Sequence, residues 1–457
     1  MKRRLCTSLL LLIIAMAAVA QSPKYVFYFI GDGMGPSHVL GTELYINELQ
    51  GNIGRNEKLS FTQFPHTAFV TTFSASNGVT DSAASGTALA TGNKTYNGAI
   101  GITADGTPCS SVAQWAKEAG YAVGISTTVP INHATPSAFY AHQKSRNNYD
   151  EIAQEMHLYG FDFFAGGDPV YNNGDRNELY KQYKKSDYTI ARGIKQFDAM
   201  YKKADKMMLF QSEVLTQLPY SIDQDENDLN LAQITKAGIE FLTGKSDKGF
   251  FFMIEGGKID YASHDDDAAT MIKEVQDFDR AIKVALDFYN EHSDETLIVV
   301  TADHETGGLV LGFKGSYTLN LKALAGQKVS EDELENILIA ANSERLLTWE
   351  ETKELLTQKM GLWNEVSVEE KQAERLKAMN EETWASDNKD ECNKWLRNIA
   401  DYAKFIVSYS ASISWASGNH SGTFVPLFAI GIGAEKFHGI IDNTDVPKTI
   451  SNIAGYR

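Results

Sequence analysis

Cysteine is scarce in this chain, three residues in 457, and one of them, Cys6, comes before the apolar run that opens the sequence. That excludes a disulfide framework: Cys109 and Cys392 make at most one pair, and the sequence does not say whether they meet. Proline is sparse too, at ten residues. No Pro-, Gly- or Ser-rich linker and no long repeat divides the chain. Positive charge is the third shortage, with 42 Lys and Arg against 59 Asp and Glu and a formal charge of −17. A surface of that sign excludes nucleic acid and anionic membrane as partners, and an anionic small substrate needs a local reversal of the field, of the kind bound metal ions supply. After residue 20 no apolar run is long enough to cross a membrane.

The opening, MKRRLCTSLLLLIIAMAAVAQ, has a basic start, an apolar run from Leu9 to Ala18 and small residues at Ala18-Val19-Ala20. This predicts a secretory signal peptide over 1–20, an exported chain over 21–457 and a periplasmic or secreted location. Cys6 is badly placed for a lipid anchor. Loss of Lys2, Arg3 and Arg4 takes the formal charge from −17 to −20.

Short, nearly continuous apolar runs then recur at Tyr25 to Ile30, Tyr121 to Ile125, Met207 to Phe210, Phe250 to Ile254, Thr296 to Val300 and Leu427 to Ile432. They suit strands buried on both faces of a parallel sheet. Helical patterns fall between them. Ser111-Val112-Ala113-Gln114 has the form of a capping box, and Met271, Val275, Phe278, Ile282, Ala285 and Tyr289 step along one helix face. The alternation predicts an α/β fold, a three-layer α/β/α sandwich around a mostly parallel sheet, with ligands gathered at the carboxyl ends of the strands. Over 313–411 the character changes. Capping-box patterns at Ser330-x-x-Glu333, Thr348-x-x-Glu351 and Ser367-x-x-Glu370 open charged amphipathic helices, so this stretch reads as a mostly helical insertion. A lid, a crown, an oligomer contact and a solvated appendage all fit it.

The stretch Gly78 to Gly98, GVTDSAASGTALATGNKTYNG, pairs Asp81 with Ser82 and runs into small helix-forming residues closed by Gly92. Ser82 then falls in the first turn of a helix, where unpaired N–H groups favour an anion. Taken alone the segment fits two readings, a nucleophilic serine that carries a phosphoryl group or a serine that merely caps a tightly packed helix. Elsewhere three predicted strands end in acids, at Asp32, Glu255 and Asp303-His304. Asp260 and His264 stand four apart, on one face of a helical turn. His420 lies in the loop GNHSG. Three imidazoles and four carboxylates suit zinc, with magnesium where oxygen dominates, and a two-metal phosphate hydrolase uses such a set to activate one oxygen and stabilise the departing one.

In these pieces the chain resembles the alkaline phosphatases: FIGDGMG at 29–35, VTDSAASGTALATGNKTYNGAIG at 79–101, HATPSAFYAHQKSR at 133–146, IEGGKID at 254–260 with His264 after it, TADHETGG at 301–308 and GNHSGTFVP at 418–426. The resemblance implies an exported phosphomonoesterase, with Ser82 as nucleophile, Arg146 as phosphate clamp and Asp81 orienting Arg146. It implies two zinc ions, the first on Asp260, His264 and His420, the second on Asp32, Asp303 and His304 beside Ser82. A magnesium ion shares Asp32 with Thr135 and Glu255. With Arg146 and an ionised Ser82, such a site carries a net charge of about +2, matched to a monoester dianion. A homodimer is also implied.

Some bacterial members carry Asp and Lys where this chain has His133 and Tyr261, so these two are expected to surround the ligands and tune them. His133 fits a structural hydrogen-bonding role equally well. His38, His66, His142, His157 and His292 have no motif support, and Met34 reads as packing. Ser82-Ala-Ala-Ser-Gly lacks the C-x-P-x-R context of sulfatases, and a serine rather than a threonine here separates the chain from phosphodiesterases of the same superfamily. The alternatives are a phosphodiesterase of the same superfamily and an exported phosphate- or zinc-binding protein without turnover.

Overall fold

Ten strands form one sheet in the computed structural model, which describes residues 22–457 other than 53–55, 316, 344 and 386–387. The expected leader lies outside the described residues. The first eight strands are β1 (Tyr25–Gly31), β2 (His66–Thr71), β3 (Ala122–Pro130), β4 (Phe163–Gly167), β5 (Tyr188–Arg192), β6 (Lys206–Phe210), β7 (Phe250–Gly256) and β8 (Thr296–Thr301). Four short strands follow, β9 (Glu305–Thr306), β10 (Leu309–Leu311), β11 (Ile413–Trp415) and β12 (His420–Ser421), before β13 (Val425–Gly431) and β14 (Gly439–Asp442) rejoin the sheet. Its order is β14-β2-β13-β8-β1-β7-β3-β4-β6-β5. Every pairing in it is parallel except those of β13, which runs against both β2 and β8.

The central strands are apolar throughout because both faces are covered. β1 alternates between them: Phe27 and Phe29 meet Phe288 and Phe278 of the helix Ala268–Glu291, while Tyr28 turns to Phe139 and its hydroxyl reaches Leu89 O on the helix Ser82–Thr91. This is the expected three-layer sandwich, and Met271, Val275, Phe278, Ile282 and Ala285 are its buried helix stripe. The sequence had suggested six of the ten strands. No helix among the described residues is long and apolar enough to cross a membrane.

Helices at Glu331–Ala341, Trp349–Met360, Glu370–Ala385 and Lys389–Ser410 fill the stretch between β10 and β11. Those two strands pair antiparallel, Leu309 opposite Trp415, and close the stretch at its neck. The capping boxes differ from expectation. Ser111–Gln114 and Thr348–Glu351 are complete, with both reciprocal bonds. Ser330 accepts from Glu333 N–H, but its own N–H goes to Asp223 Oδ1 at 2.8 Å rather than to Glu333. The third box is a correction: the helix begins at Glu370, and the N–H of Glu369 is taken by Gln372 Oε1, so Ser367 does not open it. Cys109 and Cys392 form no disulfide with one another; their thiols donate to Gly101 O and Thr383 O.

Candidate active site

Three neighbouring strands deliver the acids. Ile30 of β1 is in register with Thr301 of β8 on one side and Glu255 of β7 on the other. Asp32 follows β1 and Asp303 follows β8, so with Glu255 they gather at one carboxyl edge, all fully buried. The helix Lys258–His264, directly after β7, adds Asp260 and His264. The short β9–β12 ribbon sets His420 opposite Thr306, which lays its ring over His304 with centroids 3.5 Å apart and planes 18° from parallel.

The hydrogen bonds fix how the three rings face. His264 Nδ1 lies 2.9 Å from Gly418 O, His420 Nδ1 2.8 Å from Thr80 O, and His304 Nδ1 3.2 Å from Thr306 Oγ1, whose own proton goes to Asp260 Oδ1. Each ring therefore donates through Nδ1 and turns an Nε2 lone pair inward. His264 and His420 Nε2 are 3.1 Å apart, at 3.4 and 3.6 Å from Asp260 Oδ1; His304 Nε2 is 3.3 Å from both Asp32 Oδ1 and Asp303 Oδ2. Lone pairs facing lone pairs and carboxylates repel unless a cation stands among them. Both oxygens of Asp32 and one of Glu255 are buried with no hydrogen-bond donor, which is a costly state for carboxylates in a protein interior. The donor set thus fits hard, nitrogen-tolerant divalent ions.

Burial, reinforced by Asp303, Asp260 and Glu255, holds Asp32 protonated far above the usual carboxylate range in the metal-free chain. Asp303 is pushed up to about 7 and Glu255 to about 8, again chiefly by burial. His304 goes the other way, well below its ordinary value, through burial and the neighbouring His420 and His264. Neutral imidazoles beside acids that resist ionisation are what a cation-dependent cluster looks like without its cations.

Ser82 opens the helix Ser82–Thr91, and Asp81 is its N-cap, accepting Ala84 N–H at 3.0 Å through Oδ1. Ser82 Oγ stands 3.1 Å from His304 Nε2. The other oxygen of Asp81 accepts from Gly98 N–H at 3.0 Å and from Arg146 Nη1 at 3.2 Å. Burial opposes the charge on Arg146, but the charge and hydrogen bond of Asp81 outweigh it and hold the guanidinium cationic. A serine, a cationic fork and two banks of metal-type donors converge from six segments of the chain.

The family comparison accounts for the convergence. A model of the alkaline phosphatase family matches residues 23–162 and 162–456. The chain belongs to the alkaline phosphatase family. The match runs through the helical stretch as well. Alkaline phosphatase 4 of Bacillus subtilis is 32% identical, over 94% of this chain and 88% of its own. The crystal structure of a cold-active alkaline phosphatase from Shewanella sp. superposes with a TM-score of 0.80 at 31% identity, covering 94% of this chain and 99% of that one. A histidine-to-glutamate mutant of TAB5 alkaline phosphatase, TM-score 0.67 and 27% identity over 96% and 99% of the two chains, has Mg bound in its M3 site. The family is metal-dependent, and the chain is an enzyme of phosphate-monoester hydrolysis.

Beside the alkaline phosphatase motifs lie residues the sequence did not single out. Thr306 links His304 to Asp260, and its place two residues past His304 was the available signal. Thr127 donates to Glu255 Oε2 from within β3, where hydroxyls in a buried apolar strand were the clue. Thr135, expected with Asp32 and Glu255, has its Oγ1 3.3 Å from Asp303 Oδ2. His133 comes closer than expected: a ring nitrogen groups with Asp32 and Glu255, all within 4.8 Å of one another, while its Nε2 lies 3.0 Å from Arg146 Nη2. Tyr261 stands edge-on to that ring, centroids 5.7 Å apart.

Proposed function

We propose that the chain is an exported alkaline phosphatase, periplasmic or secreted and homodimeric, that hydrolyses phosphate monoesters through a phosphoserine on Ser82. The observation that carries this reading is the inward turn of three Nε2 lone pairs onto the buried carboxylates of Asp260, Asp32 and Asp303 beside the Ser82 hydroxyl. Asp260, His264 and His420 would hold one zinc ion, Asp32, Asp303 and His304 a second, and Asp32, Glu255 and Thr135 a magnesium ion. When bound, these ions would offset the carboxylate charge, lower the pKa of the Ser82 hydroxyl and stabilise the departing alkoxide.

The chain's own residues do the rest. Arg146 receives two phosphoryl oxygens in its planar fork, a fit that lysine lacks. Asp81 fixes that fork from the same residue position that starts the Ser82 helix. Ser82 Oγ, having lost its proton, attacks phosphorus in line; the P–O bond to the alcohol breaks and the alcohol leaves with a proton. Water then attacks the phosphoserine, the P–Oγ bond breaks, and phosphate departs as Ser82 is regenerated.

The test compares p-nitrophenyl phosphate with the bis-ester and the sulfate, each with and without EDTA, and traps labelled phosphate on acid-quenched protein. The expected result is monoester hydrolysis that EDTA abolishes and zinc with magnesium restores, with label on Ser82 and none on Ser82→Ala. Full activity in Ser82→Ala would refute the assignment. Preference for the bis-ester would make the chain a phosphodiesterase, and phosphate binding without turnover a binding protein.

A further inference from the structure

The helical stretch between β10 and β11 walls a cavity of about 590 Å³ that the catalytic residues leave unused. Tyr402, Phe405 and Tyr409 lie three and four residues apart on the helix Lys389–Ser410, so their rings share one face. Tyr402 and Phe405 stack with centroids 5.6 Å apart and planes 13° from parallel; Phe405 and Tyr409 follow at 5.7 Å, and Phe313 meets Tyr409 edge-on at 5.6 Å. The ladder is open: Phe405 is 46% and Phe313 37% exposed. Cations stand at both ends, Arg375 4.4 Å from the centre of the Tyr402 ring and Lys314 3.7 Å from that of Tyr409. Phe405 and Phe313 are exposed and Tyr402 and Tyr409 half-buried, and the hydration of the open ring surface is a cost that a flat ligand would remove. Two further lining residues carry buried polar atoms without a partner, an acceptor at Asp266 Oδ1 and a donor at Trp415 Nε1.

The walls of the cavity pack on the residues that directly follow His264. Lys404 donates to Asp265 O, and Ser408 Oγ lies 3.5 Å from Asp266 O; these carbonyls belong to the two residues after His264. Trp415 leads into the loop that carries His420. Contacts run from Ser82 through His304 and His420 to His264, and His264, with a third of its side chain exposed, is where the cluster reaches solvent. In-line attack by Ser82 requires the ester oxygen to leave on the side away from Ser82, toward His264 and His420.

We infer that this cavity is the subsite for the alcohol half of the ester, and that it selects planar aromatic leaving groups such as those of nucleoside and aryl phosphates. The inference rests on Ser82 as the nucleophile. A nucleobase and a bare aryl ring would both stack on the ladder.

The experiment measures kcat and KM for adenosine 5′-monophosphate, phenyl phosphate and glycerol 2-phosphate in the metal-loaded enzyme and in Phe405→Ala and Phe405→Trp. Phe405→Ala is expected to lower kcat/KM for the two aromatic esters about tenfold relative to glycerol 2-phosphate, mainly through KM, as loss of one stacking surface predicts. Phe405→Trp should restore the preference. Equal changes for all three esters would overturn the subsite. Calorimetric titration with adenosine, which has no phosphate to transfer, gives a reading without turnover: binding that weakens in Phe405→Ala upholds the subsite even where the Ser82 mechanism fails, and no binding to the parent enzyme sinks it.

Discussion

Asp81 serves two structures with its two oxygens. Oδ1 caps the helix that begins at Ser82, and Oδ2 holds Gly98 N–H and Arg146. Asp81→Asn keeps a capping oxygen but sets an amide donor against two donors. Phosphate clamping should suffer far more than folding: kcat/KM is expected to fall about 10- to 100-fold, the scale of a lost charge-assisted pair, with a small shift in Tm. A drop in Tm large enough to account for the lost activity would show that the cap, and not the clamp, is what matters. At this scale the sequence was legible wherever chemistry sits in a short run, as with Asp81-Ser82 or Asp303-His304. It was silent where a side chain answers a distant one. Thr127 serves Glu255 across 128 positions of sequence, and no local pattern marks such a pair.

Elements were legible according to how their faces are buried. β1, β7 and β8 are covered on both sides and read as unbroken apolar runs. β2 alternates between buried and exposed positions, so Phe69 lies half open beside buried Val70, and a search for continuous runs passes over it. β5 is an edge strand of mixed polarity, and β14 lies at the opposite edge with Ile440 exposed. The antiparallel course of β13 could not be read either, because a buried strand has the same composition in both directions. One turn shows how tightly the elements constrain the site. Gly33 has φ of 73°, and a Cβ there would lie 2.7 Å from Thr306 Oγ1 and 3.0 Å from Asp260 Oδ1. Gly33→Ala is expected to cost about 1–3 kcal/mol from left-handed backbone and crowding together and to displace Asp260. Divalent metal retained on dialysis should therefore fall below that of the parent protein; unchanged metal content would show that the turn can give way elsewhere.

For the molecule as a whole, the acids that serve the site weaken the fold when they stand alone. In the metal-free chain Asp303 and Glu255 hold their protons up to about pH 7 and 8, while the unfolded chain releases them near pH 4. Their folded values are raised, so the metal-free fold is favoured at low pH and loses stability as the pH climbs through that window. Bound cations compete with the protons and remove the loss. EDTA is accordingly expected to lower Tm by roughly 5 °C or more at pH 8.5 and much less at pH 5.5. Equal shifts at the two pH values would mean that these carboxylates are not where the ions bind.

The neck formed by β10 and β11 has a consequence for how such an enzyme diversifies. Its two ends leave and re-enter side by side, three residues paired with three, so whatever is strung between them can lengthen, shrink or be exchanged while the register of the ten-stranded platform stays the same. On the proposed reading reactivity resides in the platform and taste for one alcohol over another in the arm, and a graft at Leu311 and Ile413 should carry the second without touching the first.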